Sequence, residues 1–357
     1  MTGRAQGVPG SGAAALRRAI AALVEGTDLT EEQAAASMAE IMGGEATPAQ
    51  IAAFMVGLRM KGETYQEIAG CARAMRDKAA RIRPKSKVLV DTCGTGGDGA
   101  GSFNVSTAAA FVVAGAGVAV AKHGNRSVSS RCGSADVLEA LGARIDLSPA
   151  AVSECIESVG IGFLFAPTFH GAMKHAIGPR KEIGIRTVFN ILGPLTNPAG
   201  ADFQLLGVYA PGLLEVVARA LMSLGTKKAL VVHGNDGLDE ISVSDSTMVC
   251  EVEDSRLRSY EVAPEDFGLQ RAESSEVQGG TAEENAAHIR SVLAGVPGAR
   301  RNIVLLNAAA ALVAAQAAGD LPEGFRMAAR SVDSGAAGSK LEAFVDFTGK
   351  AAVGQSR

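Results

Sequence analysis

Apolar positions recur at helical spacing over the first eighty residues, and short strand and helix patterns alternate after that. Leu16, Ile20 and Leu23 fall on one face of a first predicted helix. Thr30-Glu31-Glu32-Gln33 is a capping box that opens a second, which stops at Gly43-Gly44. Thr47-Pro48-Ala49-Gln50 repeats the device with proline at the first helical position, and Thr64-Tyr65-Gln66-Glu67 starts a fourth helix. Four short helices without strands predict a small bundle. Residues 81–87 (RIRPKSK) then mark a boundary, because Pro84 bars helix and the charges favour water.

From Val88 onward the pattern predicts a mainly parallel sheet covered by helices. Strands are expected at 88–90, 118–121, 163–166, 203–209 and 228–233, and 342–347 suits a last one. Helices are expected from near Ser106, from Ser134 (as cap) to Leu141, from Ser148-Pro149, and over 213–224, 281–294 and 302–318. Residues 168–186 read as helical in places, and 190–198, with three breakers, as irregular. The expected fold is therefore α/β: a large domain over 85–357 with a mainly parallel central sheet flanked by helices, plus a small all-α domain over 1–84.

Composition narrows the classes. At 357 residues with 47% hydrophobic positions there is ample core, but aromatics are only 4% and Trp is absent, so Ala and Gly fill the space. The net charge of −4, without a basic run, argues against a nucleic-acid partner. The five cysteines lack metal spacing and fit reduced thiols in a cytoplasm. The longest apolar run, 107–121, is interrupted by glycine and too short for a bilayer, and residues 1–12 lack a signal-peptide core.

The candidate chemistry centres on residues 91–107 (DTCGTGGDGAGSFNVST). Five glycines and a cluster of hydroxyls lie between a strand and an apolar helix. Glycine brings backbone N–H groups close to a ligand, and the helix start adds its positive dipole end. The expected guest is phosphate, although a plain strand-to-helix turn remains open. Gly94, Gly96 and Gly99 formally match a dinucleotide fingerprint, but the next strand ends in Lys122 rather than the acid that holds a ribose diol. No Gly-Lys-Ser/Thr follows as in a Walker loop. The polar stretch 122–131 would bring cations to the same spot. Asp239-Glu240 would lie in a loop at a strand's C-terminal end, where both acids can converge on one Mg²⁺.

Four long stretches taken together, 91–107, 122–141 (KHGNRSVSSRCGSADVLEAL), 165–198 (FAPTFHGAMKHAIGPRKEIGIRTVFNILGPLTNP) and 233–242 (HGNDGLDEIS), resemble the anthranilate phosphoribosyltransferase family. The resemblance implies transfer of a phosphoribosyl group from 5-phosphoribosyl 1-diphosphate to anthranilate with Mg²⁺. It implies that helices from about 168–198 join the helical domain, and a homodimer formed through that domain. It implies that Gly94, Gly97, Asp98, Ser102, Asn104, Val105, Ser106 and Thr107 hold the sugar diphosphate. Lys122, His123, Gly124, Asn125, Arg126, Ser127, Val128, Ser129, Ser130 and Ser134 would close on it from the other wall. Ser106, Asp239 and Glu240 would bind the metal, with Lys122, Asp239 and Glu240 as the catalytic set. Gly94, Asn125 and Arg180 would meet anthranilate. The chain departs from the usual motif at Gly171 and at Ile177-Gly178-Pro179. A pyrimidine nucleoside phosphorylase and a non-catalytic nucleic-acid binder on the same scaffold are the rivals.

Overall fold

The computed structural model describes residues 13–127 and 131–355, with side chains to residue 351. The chain begins with α1 (Ala14–Val24), α2 (Glu31–Gly43), α3 (Pro48–Lys61) and α4 (Tyr65–Lys78). Both capping boxes are present at α2 and α3, and Thr64 and Glu67 exchange the same pair of bonds before α4. Leu16, Ala19 and Leu23 form the buried face of α1, while Ile20 is only half-buried.

The α/β part follows as β1 (Leu89–Gly94), α5 (Val105–Gly115), β2 (Ala119–Gly124), α6 (Ser134–Ala140), α7 (Pro149–Val159), β3 (Ile161–Phe165) and the short α8 (Ala166–Phe169). The chain then makes α9 (Lys174–Ile183) and α10 (Val188–Leu192). It returns through β4 (Phe203–Gly207), α11 (Leu213–Ser223), β5 (Lys228–Gly234), β6 (Thr247–Glu253) and β7 (Arg256–Val262). Four helices close the chain: α12 (Ala282–Leu293), α13 (Ala299–Ala314), α14 (Leu321–Asp333) and α15 (Ala336–Gln355). Two compact units result, Met1–Lys78 with Gly171–Leu192, and Ala79–His170 with Gly193–Arg357.

The second unit holds a seven-stranded sheet of order β3-β2-β1-β4-β5-β6-β7. The first five strands pair in parallel and the last two join as antiparallel neighbours. Alternate residues face opposite sides: Val90 and Val120 join the large core with α5 and α13, while Leu89 and Ala121 pack with Val152, Ile156 and Leu164. Helix α5 is buried on all sides, so its run of Ala, Val and Phe needs no polar face.

Several expectations change. Residues 342–347 are helical, not a strand: within α15, Ala337, Leu341, Phe344 and Thr348 are buried at helical spacing. Ser134 is the first residue of α6 rather than its cap; Gly133 holds that position and the Ser134 hydroxyl donates to the Asn125 carbonyl at 3.2 Å. Lys122 and His123 lie inside β2, because pairing with Phe163 and Leu164 of β3 carries the strand further. Residues 194–196 form a short helical turn inside the stretch expected to be irregular, and the short helix over 188–192 runs into its start. The β6–β7 hairpin and α14 were not anticipated.

Candidate active site

The sheet order reverses direction between β1 and β4, which leaves a crevice beyond their carboxyl ends. Gly94 and Gly207 are paired there, one at the end of each strand. Both must be glycine for one reason: a β-carbon at Gly94 would strike the Asp239 carboxylate, and one at Gly207 would strike the Asp239 backbone. The paired glycines thus admit the acidic loop after β5 into the crevice.

Beyond β1 the chain turns through Gly96, Gly97, Gly99 and Gly101, all with positive φ, before Asn104 leads into α5. The Gly96 N–H donates to Asp239 Oδ2 at 2.7 Å, and the Ser106 N–H donates to Glu240 Oε1 at 3.2 Å. Two N–H groups expected to face a phosphate therefore hold the protein's own acids. Asp98 accepts from the Ala100 N–H at 3.2 Å, and its second oxygen lies 3.5 Å from the Asp239 nitrogen. Burial and the neighbouring Asp98 push the Asp239 carboxyl up to about 7. Burial, then Asp239, raise Glu240 well above the usual range.

Lys122 supplies the positive charge. Its buried ammonium donates to the Thr92 carbonyl at 2.6 Å and to Ser106 Oγ at 3.3 Å. Burial lowers its pKa, opposed by Asp91 beneath it. Asp91 is itself fully buried; it accepts from the His123 N–H at 3.1 Å and from Asn197 Nδ2 at 2.8 Å, and burial raises it to about 6. Sequence reasoning gave neither Asp91 nor Asn197 a role of its own. Asn104 is likewise held from behind, accepting at 3.0 Å from Asn285 of α12 while its Nδ2 donates to the Cys132 carbonyl at 3.3 Å. Ser102 forms a bridge with Gln278, and Val105 and Thr107 are buried in the first turn of α5. Thr107 Oγ1 has no hydrogen-bond partner among the described residues.

Gly124 ends β2, and Asn125, Arg126 and Ser127 leave it as a loop anchored on α6. The Ser127 N–H donates to Asp136 at 3.1 Å, and the Arg126 guanidinium is engaged by Glu139 at 2.6 and 2.8 Å and by Asp136 at 3.0 Å. Arg126 thus braces its own loop against α6. Val128, Ser129 and Ser130 lie outside the described residues. His123 turns Nδ1 to the Gly193 carbonyl at 3.1 Å, and its ring stands 5.1 Å from that of His170. Arg180 lies in α9 of the helical unit, its guanidinium 5.0 Å from the Phe189 ring and mostly buried, with Pro179 inside the same helix.

The side-chain atoms that Asp239, Glu240 and Ser106 could offer a metal are all oxygens, and Glu240 lies in the field of Asp239. That set fits a hard divalent cation such as Mg²⁺. Among the described residues no cluster of three or more His, Cys, Asp or Glu side chains could hold a metal unaided. All five cysteines are buried and none forms a disulfide among the described residues, and no described helix is long and apolar enough to cross a membrane.

The chain is similar to known proteins over most of its length. Residues 17–79 match the glycosyl transferase family helical bundle domain, and residues 86–338 match the a/b domain of the same family. The anthranilate phosphoribosyltransferase of Symbiobacterium thermophilum is 60% identical over 91% of this chain and 96% of its own length. That of Moorella thermoacetica is 58% identical over 92% and 97%. The crystal structure of the Thermus thermophilus enzyme superposes with a TM-score of 0.88 at 47% identity, covering 92% of this chain and 99% of that one. The Saccharomyces cerevisiae enzyme, solved in complex with PRPP and Mg, gives a TM-score of 0.85 at 29% identity over 94% and 98%. With a crevice, a glycine turn and an acidic loop arranged as described, and with relatives of this identity over nearly its whole length, the chain belongs to the anthranilate phosphoribosyltransferase family.

Proposed function

We propose that this chain transfers the 5-phosphoribosyl group of 5-phosphoribosyl 1-diphosphate to the amine of anthranilate, giving N-(5-phosphoribosyl)anthranilate and pyrophosphate. The observation that carries the reading is the meeting of three elements at the sheet's reversal point: the glycine turn, the Lys122 ammonium and the buried pair Asp239-Glu240. The remaining N–H groups of residues 94–107 bind the diphosphate, with Asp98, Ser102 and Asn104 beside it. Asn125, Ser127 and Ser134 lie beside the sugar phosphate. Mg²⁺ held by Ser106, Asp239 and Glu240 neutralises charge on the leaving diphosphate; the yeast relative solved with PRPP and Mg supports this choice of ion.

Lys122 has the larger task among the protein groups, because charge develops on the leaving oxygens and its ammonium is fixed and buried. The amine of anthranilate is already a neutral nucleophile, so the reaction needs no strong base. Burial and the neighbouring His170 keep His123 down at about 3, which suits a neutral positioning group rather than a proton acceptor at pH 7. The Arg180 guanidinium, steadied by Phe189, suits a two-pronged contact with the anthranilate carboxylate, and Gly94 and Asn125 are the other residues we assign to anthranilate.

The two compact units support a helical domain over about 1–84, completed from about 168–198, and an α/β domain over 85–357. We take the helical domain as the surface of a homodimer, checked by sedimentation, and the five reduced thiols as a sign of a cytoplasmic protein. The deciding assay follows loss of anthranilate fluorescence on adding the sugar diphosphate, with and without Mg²⁺. Undiminished fluorescence with both substrates and Mg²⁺ present overturns the reading.

A further inference from the structure

From Ile303 to Ala315 helix α13 and its cap carry a single polar residue, Asn307, and its side chain has no exposure. An amide buried in such surroundings is costly unless its bonds are made. Here they are. Asn307 Oδ1 accepts the Ile241 N–H at 2.9 Å, while Nδ2 donates to the Ile241 carbonyl at 3.0 Å and to the Ile303 carbonyl at 2.9 Å. Ile303 lies one turn back in the same helix, so that bond fixes the amide's orientation. The other two grip both backbone groups of one residue.

That residue directly follows Glu240. Holding its N–H and C=O together fixes the peptide planes on either side of Ile241, and so the direction in which the acidic loop leaves the core. No sequence motif marks this part of the chain, and core packing alone gives no reason for an amide at position 307. We propose that Asn307 is a positioning residue for Asp239 and Glu240, setting where their carboxylates stand and hence how tightly a divalent cation is held with a sugar diphosphate. It touches neither ligand. The inference rests on the function proposed above.

Two variants separate this role from core packing. Asn307→Leu keeps the volume and removes all three bonds; Asn307→Asp keeps the acceptor for the Ile241 N–H and removes both donors. Mn²⁺ binding in the presence of 5-phosphoribosyl 1-diphosphate is read from the electron paramagnetic resonance signal of free Mn²⁺, beside Tm and the KM of each substrate. Loss of a partner that orients metal-binding groups should weaken Mn²⁺ binding by about 10–100-fold. The KM for the sugar diphosphate should rise with it and that for anthranilate stay unchanged. A lowered Tm with unaltered Mn²⁺ affinity of the folded variant overturns the proposal. If the leucine variant does not fold, the aspartate variant decides the question by the same measurements. Wild-type protein that binds no Mn²⁺ with the sugar diphosphate overturns the proposed function and this inference together. Wild-type binding matched by both variants overturns the inference alone.

Discussion

His123 and His170 show how far burial can move a single side chain. Burial holds His123 at about 3 and His170 at about 4, both far below an unfolded histidine near 6.5. A depressed histidine pKa means that the unfolded chain binds the proton more tightly. The stability tied to each is therefore complete above pH 6.5 and is lost as the pH falls toward the folded value. Asp91, raised to about 6, acts in the opposite sense: its contribution is complete below the unfolded aspartate value and fades as the pH rises through 6. In ligand-free protein, each histidine should cost about 2 kcal/mol between pH 6.5 and pH 5. The double variant His123→Gln/His170→Gln should thus lose less Tm over that range than the wild type. Parallel curves would show that the rings do not titrate as buried groups. Arg180→Lys keeps the charge but gives up the planar fork, so the anthranilate KM should rise far more than that of the sugar diphosphate. Equal rises in steady-state kinetics would remove Arg180 from the anthranilate subsite.

At the scale of the element, local chemistry and close approach divide the work. The capping boxes at Thr30 and Thr47 were visible in the chain because a cap is satisfied within four residues. The β6–β7 hairpin also carried a local mark, the two-residue turn Asp254-Ser255, but neither residue is glycine and both take positive φ. Relief of that strain should make Ser255→Gly more stable by roughly 0.5–1 kcal/mol, seen as a raised Tm. Gly70 of α4 had no such mark. A β-carbon there would run into the Glu31 carbonyl of α2, so glycine is required by the approach of two helices rather than by φ. Gly70→Ala should cost about 1–3 kcal/mol, as overpacking does, measured by denaturant unfolding. Helix α15 misled for a related reason. Its stretch 342–347 is short and apolar enough for a strand, and only its burial against α5 and α7 sets the helical face.

The whole molecule decides which stretches meet. The candidate site draws on residues after β1, at the end of β2, after β5 and, from behind, in α12 and α13; these segments are far apart in the chain. Removal of divalent cations with a chelator should abolish transfer, and Mg²⁺ should restore it, because no protein cation other than Lys122 offsets the Asp239-Glu240 pair in their described electrostatic contacts. Turnover that persists at full rate in chelator would sever the acids from the chemistry.

Taken alone, the sequence determined the class of fold, the glycine-rich turn, the cation at Lys122 and the acid pair, because spacing and turn chemistry are local properties. The order of strands decided the rest. It paired Gly94 with Gly207 so that Asp239 could enter, turned two backbone N–H groups toward the protein's own carboxylates, and set Asn285 and Asn307 behind the loops they hold. Those contacts span up to 181 residues, and no local pattern encodes a partner that only the folded sheet brings near.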